Sequence, residues 1–181
     1  MGQVIAVCGM PASGKGEFAS FLATKGIPVR SMGDMVRAEV ASLGIEEGPN
    51  VFGEVATALR AEHGDDILAI RLTSAVDSLL EEHPIVLIEG MRGTAEKAVF
   101  VEHWGPSFIS VAIIADTETR FQRVISRGRS EDGDRITFRL RDERENGWGL
   151  EQIISEADFT FSNNQDVAEL TLLVSDWLTS L

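Results

Sequence analysis

The chain has 181 residues, with 16 Lys plus Arg against 29 Asp plus Glu, a net charge of −13. That length suits one packed domain, and the acidic balance excludes a general electrostatic grip on nucleic acid or an anionic membrane surface. Hydrophobic residues at 44% exclude wholesale disorder, and a single cysteine, Cys8, excludes an internal disulfide or a Cys-rich zinc site.

Short apolar runs separated by helical spacing predict an α/β fold with a parallel sheet. The first strand is Val4 to Val7, followed by a helix from Gly14 to Lys25 with Phe18, Phe21 and Leu22 on one face. Ile27 to Arg30 reads as a second strand, and Gly33-Asp34 opens a helix to Leu43. Residues 44–50 read as a loop, and helices near 51–62 and 65–82 part at His63-Gly64. Ile85 to Ile88 is a buried strand entered through Pro84. A helix from Thr94 to Trp104, a strand from Ile109 to Ala115 and a helix from Thr117 to Arg127 come next. Residues 128–134 form a polar loop, with helices from Arg135 to Asn146 and from Leu150 to Glu156 behind it. A strand at 159–161 and a helix from Val167 to Leu178 close the chain. No run approaches the roughly 18 apolar residues that span a bilayer, and the opening residues lack the pattern of a signal peptide, so the expected location is the cytoplasm.

Gly9-Met10-Pro11-Ala12-Ser13-Gly14-Lys15 fits G-x-x-x-x-G-K between a buried strand and a helix. Such a loop turns backbone N–H groups inward around a phosphate, the helix adds its positive end, and Lys15 brings a mobile charge to the terminal phosphates. ATP with Mg2+ is therefore the expected cofactor, held by Gly9 to Glu17. Gly16 stands where many such loops place a hydroxyl for the metal. Magnesium is then expected to be held through water by Glu89 at the end of its strand, with Asp116 a second candidate.

Gly9 to Gly16 resembles the loop of adenylate kinases and related nucleoside monophosphate kinases, which also ends in Gly-Lys-Gly. Those enzymes usually carry Gly at the position of Ala12 and Thr at that of Glu17. Met32-Gly33-Asp34-Met35-Val36-Arg37 resembles their Thr-Gly-Asp-Met-Leu-Arg segment, which implies substrate contacts from Asp34 and from Arg37 to an acceptor phosphate. Ile88-Glu89-Gly90-Met91-Arg92 is similar to their Asp-Gly-Phe-Pro-Arg, one residue shorter and without the Pro, which implies Arg92 as a second phosphate ligand. Arg123, Arg127 and Arg129, with Arg141-Asp142-Glu143-Arg144, resemble the Arg-rich lid segments. Ala157-Asp158 with Asn163 is similar to the ending of dephospho-coenzyme A kinases, where this stretch lies beside adenine. Over nearly its whole length the chain resembles archaeal adenylate-kinase-related P-loop proteins. The resemblance implies a three-layer P-loop fold of about five parallel strands, with 34–82 as an acceptor-side helical insertion and 128–145 as a short lid.

The implied reaction moves the γ-phosphoryl of ATP to a phosphate-bearing small molecule, a nucleoside monophosphate or dephospho-coenzyme A. Lys15, Arg92, Arg127 and Arg129 would neutralise the moving group, while Arg123 and Asn163 would serve the nucleotide. Arg37, Arg92, Arg141 and Arg144 would hold the acceptor. The alternative reading of this Arg-rich segment is a solvated helix surface whose charge is balanced by Asp142, Glu143 and Glu145. The lid is too short to exclude water fully, so an ATP hydrolase or a nucleotide-dependent switch with a protein partner is the rival reading. Neither nucleic acid nor a membrane is an expected partner.

Overall fold

The computed structural model describes residues 2–46, 48, 50–128, 133–165 and 167–181. Five strands make one sheet: β1 Gln3–Cys8, β2 Val29–Ser31, β3 Ile85–Glu89, β4 Phe108–Ile114 and β5 Phe159–Ser162. Their order is β2-β3-β1-β4-β5, and every pairing is parallel.

A parallel sheet needs crossovers, and the chain supplies helices on both faces. They are α1 Lys15–Thr24, α2 Met32–Leu43, α3 Val51–His63, α4 Ile67–Leu80, α5 Thr94–Trp104, α6 Thr117–Arg127, α7 Arg135–Gly147, α8 Leu150–Ser155 and α9 Val167–Leu178. Helices α2, α3 and α4 all fall between β2 and β3.

The period-2 alternation of β1 divides the core in two. Val4, Ala6 and Cys8 face one layer, packed with Val86, Ile88, Phe100, Leu150 and Ile153. Ile5 and Val7 face the other, with Phe18, Leu22, Leu87, Val111 and Trp177. Both sides of the strand are therefore covered, which is why its sequence is apolar without interruption. A third, smaller cluster of Phe121, Val124 and Phe138 joins α6 to α7 and rests on Ala12 of the phosphate loop.

Element boundaries differ from the sequence reading by one or two residues. The largest shifts are of two residues: α4 runs Ile67–Leu80 instead of 65–82, and β2 starts at Val29 instead of Ile27. Pro28 has no N–H to donate, and only its carbonyl joins the sheet, accepting from Leu87 N at 2.9 Å. The carboxyl ends of β1, β3 and β4 lie side by side, in the register Val7 to Glu89 and Cys8 to Ala112. One rim thus gathers the phosphate loop, Glu89 with the strap 90–93, and the start of α6.

Candidate functional site

The loop after β1 is shaped by close approach. Gly14 adopts φ 112, and a Cβ there would strike the Asn163 amide, which donates from Nδ2 to the Ser13 carbonyl at 2.8 Å. Among the described residues no side chain caps α1, so its first-turn amides are presented in the way that takes an anion. The Ser13 hydroxyl is buried and has no partner among the described residues. Ala12 is held at φ 63, where the adenylate kinase loop usually has glycine.

Lys15 curls over this loop, donating to Gly9 O at 2.7 Å and Met10 O at 3.1 Å. Burial lowers its pKa to about 8. Glu145 pulls it back up, Arg92 pushes it down, and Glu89 and Arg141 add smaller effects of each sign. Met10 is half-buried, Pro11 buried, and Gly16 and Glu17 exposed at the loop's outer edge.

Beside the loop runs an open groove of about 800 Å3 lined by Gly14, Lys15, Gly16, Glu17, Arg123 and Arg127. Arg123 reaches under the loop, donating to Ser13 O at 3.3 Å and to Asn163 O at 2.7 Å. Asn163 is itself buried. Both residues therefore brace the loop from below, and Arg127 lines the groove. Arg129 lies outside the described residues. Glu89 is half-buried at the end of β3 and faces Lys15 electrostatically. Asp116 is instead the cap of α6, accepting from Thr119 N at 2.8 Å.

On the other side of Lys15, four guanidinium groups from three segments converge. Arg37 of α2, Arg92 of the strap, and Arg141 and Arg144 of α7 line a cavity of about 50 Å3 with Phe52 and Gly53. A cavity that small takes a head group, whereas the groove beside the loop has ample room for a nucleoside. Arg144 lies flat on Gly53 so closely that a Cβ would overlap its guanidinium. Burial also pulls Arg144 below its ordinary pKa. Arg37 is exposed and pairs at 2.6 Å with the exposed Asp34.

Three features of this rim escape the sequence reading. Glu145, which only the solvated-surface alternative takes into account, is 1% exposed and sits between Arg92 and Arg141. Arg120 is buried and makes a two-pronged pair with Asp142 at 3.0 and 2.7 Å while donating to Pro11 O at 3.1 Å, which ties α6 and α7 to the loop. Arg60 and Glu96 form a buried pair at 2.6 Å. The Arg60 guanidinium stacks 4.0 Å from the Trp148 ring centre, and the other Glu96 oxygen accepts from Arg92 N at 2.7 Å. Burial raises the Glu96 pKa against the opposing pull of Arg60. A signal existed for this pair: Glu96, Phe100 and Trp104 are spaced four apart, so the carboxylate lies on the apolar face of α5.

The chain matches the family described as AAA domain over residues 5–147. It is 41% identical over 180 residues to a UPF0200 protein of Methanoregula boonei, covering 99% of this chain and 97% of that one. A UPF0200 protein of Hyperthermus butylicus is 43% identical over 169 residues, covering 92% and 88%. The chain belongs to the UPF0200 family. The fold of this UPF0200 protein is also that of shikimate kinase from Acinetobacter baumannii in complex with shikimate. That match has TM-score 0.62 at 16% identity and covers 99% and 94% of the two chains. The UPF0200 chain is thus a P-loop protein with a kinase-like fold. Among its described residues no helix is long and apolar enough to cross a membrane, and no group of three or more His, Cys, Asp or Glu is placed to hold a metal ion.

Proposed function

We propose that this protein is an ATP-dependent phosphotransferase whose acceptor carries a phosphate group, a nucleoside monophosphate or dephospho-coenzyme A. The observation that carries this reading is the convergence of Arg37, Arg92, Arg141 and Arg144 on one cavity beside Lys15. A hydrolase needs only the loop and a water. Four guanidiniums in a chain of net charge −13 call for a second, multiply charged anion.

The residues present suit MgATP: an uncapped helix start, the unpartnered Ser13 hydroxyl, the Lys15 ammonium and the Glu89 carboxylate share one rim. Glu89 would hold magnesium through water, since Gly16 offers no hydroxyl, and the metal would neutralise charge on the phosphate oxygens. The nucleoside would lie in the groove past Arg127. Lys15 leaves the Gly9 and Met10 carbonyls for the phosphates, and Arg92 and Arg141, which line the second cavity and act electrostatically on Lys15, offset the charge that develops between donor and acceptor.

The test is ADP formation from ATP with AMP, other nucleoside monophosphates, dephospho-coenzyme A, shikimate, or no acceptor. Stimulation of about tenfold or more by a phosphate-bearing acceptor is expected, equal to at least about 1.4 kcal/mol of transition-state stabilisation. Equal turnover in every arm would establish the hydrolase reading instead. Stimulation by shikimate alone would overturn the phosphate-bearing acceptor.

A further inference from the structure

We propose that Glu145 is a positioning residue that aligns the acceptor-side arginines Arg92 and Arg141. That the aligned arginines serve an acceptor rests on the phosphotransferase reading.

Glu145 stands in the last turn of α7 and is 1% exposed. Its Oε1 accepts from Arg141 Nε at 3.2 Å and lies 3.5 Å from Arg92 Nη1. One carboxylate oxygen therefore bridges the lid helix and the strap after β3, two segments that otherwise present like charges to each other. Burial works against its ionised form, but Arg92, Arg141 and Lys15 together hold it below the usual carboxylate range. A buried carboxylate without such pairing is strongly disfavoured, and a carboxylate beside a phosphate site repels the ligand. Its place is explained if it fixes the direction of the two arginines that line the ligand cavity. By accepting from Nε of Arg141, Glu145 holds that side chain at the cavity it shares with Arg37, Arg144 and Gly53. The same carboxylate is the strongest single charge acting on Lys15. The groups facing Lys15 are Glu145 and Arg141 from α7, Arg92 from the strap, Glu89 from β3 and the neutral Cys8 thiol of β1, which burial pushes up to about 11.

Glu145→Gln keeps the shape and an acceptor for Arg141 but removes the charge. AMP serves as the acceptor probe and a fluorescent ATP analogue as the donor probe, both measured by titration on the full chain. The AMP dissociation constant is expected to rise about tenfold in Glu145→Gln at pH 7, the scale of one charge-assisted contact. The high-pH fall in ATP-analogue binding is expected to move to lower pH, because Lys15 loses the charge that raises it while Glu89 remains. Arg141→Lys keeps the positive charge but loses the Nε contact, so it should weaken AMP and leave that high-pH limb in place. Tighter AMP binding in Glu145→Gln would make Glu145 a competitor of the ligand and overturn the inference. Unchanged AMP binding in Glu145→Gln would overturn it as well. If wild-type protein hydrolyses ATP without any acceptor effect, the phosphotransferase reading fails, while weaker AMP binding in Glu145→Gln and Arg141→Lys would still uphold the alignment of the arginines.

Discussion

The two sides of the rim are built by different means. The side proposed for the ATP donor is backbone: eight consecutive residues, 9–16, make the cradle, and the side chains of Asn163 and Arg123 brace it. The side proposed for the acceptor is side chain: Arg37, Arg92, Arg141 and Arg144 come from positions more than a hundred residues apart at the extremes. A backbone cradle tolerates change around it as long as its turns are kept. A pocket of side chains depends on everything that aims them, including Glu145, Gly53 and the Glu96 contact to Arg92 N. Substitutions on the two sides should therefore differ in size and in which ligand they affect.

The largest effect is expected from Lys15→Met. Loss of one preorganised cation at the transferring phosphate should lower kcat by about 10²–10³-fold, read as ADP formed under saturating ATP and acceptor. The pH dependence follows from the same residue. With its pKa lowered to about 8, Lys15 in the free protein loses its proton above that pH, so ATP affinity should begin to fall there. Folding stability should move the other way. Between about pH 8 and the ordinary 10.5 the unfolded chain binds one more proton than the folded chain, so stability rises with pH across that window. Denaturant titrations at pH 7.5, 9 and 10.5 should show the rise in wild type, and Lys15→Met should lose it.

Next in size is Arg37→Ala. Removal of a charge-assisted contact to a phosphate is worth about 1.5–3 kcal/mol, or about 10–100-fold in acceptor KM. ATP binding should stay unchanged, because the residue faces only the second cavity. A loss shared equally by both ligands would erase the distinction between the two sides.

Gly53→Ala sharpens that distinction without removing any charge. A Cβ at this position overlaps the Arg144 guanidinium, so the side chain must swing off its seat. Overpacking of a well-fitted contact costs about 1–3 kcal/mol, but here the displaced group is the end of a flexible chain. Most of the cost should therefore appear as acceptor KM, raised about fivefold to tenfold, with the denaturation midpoint barely moved. Unchanged acceptor KM would show that Arg144 does not act from its seat on Gly53.

This division also explains what could be read in the sequence. The strand–loop–helix of the donor side is local, so β1, the loop and α1 were legible from spacing and glycine placement alone. The strands and helices were legible for the same reason, since each buried run carries its own periodicity. The acceptor pocket is non-local, and Arg37 and Arg92 were singled out only through the kinase-like segments around them. Glu145 was not legible. It lies in Arg141-Asp142-Glu143-Arg144-Glu145-Asn146, an unbroken polar run whose spacing gives no hint that one carboxylate turns inward, because the partner that draws it is Arg92, 53 residues earlier. Arg120 escaped similarly, since its partners, Pro11 O and Asp142, lie on separate segments.

The smallest effect belongs to the donor side and tests how forgiving its backbone is. Ala12 holds φ 63, a conformation that costs a residue with a side chain about 1–2 kcal/mol. Its methyl also packs against the cluster of Phe121, Val124 and Phe138 that seats α6 and α7 on the loop, and burying one carbon is worth about 0.8 kcal/mol. Glycine would relieve the first and forfeit the second, while adding about 0.5–1 kcal/mol of freedom to the unfolded chain. The three nearly cancel, so Ala12→Gly should change stability by less than about 1 kcal/mol and leave ATP affinity close to wild type. Ala12→Val keeps the packing but sets a β-branched residue at positive φ, and should destabilise by more than the glycine variant does. If glycine were the more damaging of the two, contact with α6 and α7, and not the turn of the backbone, would be what holds the cradle in shape.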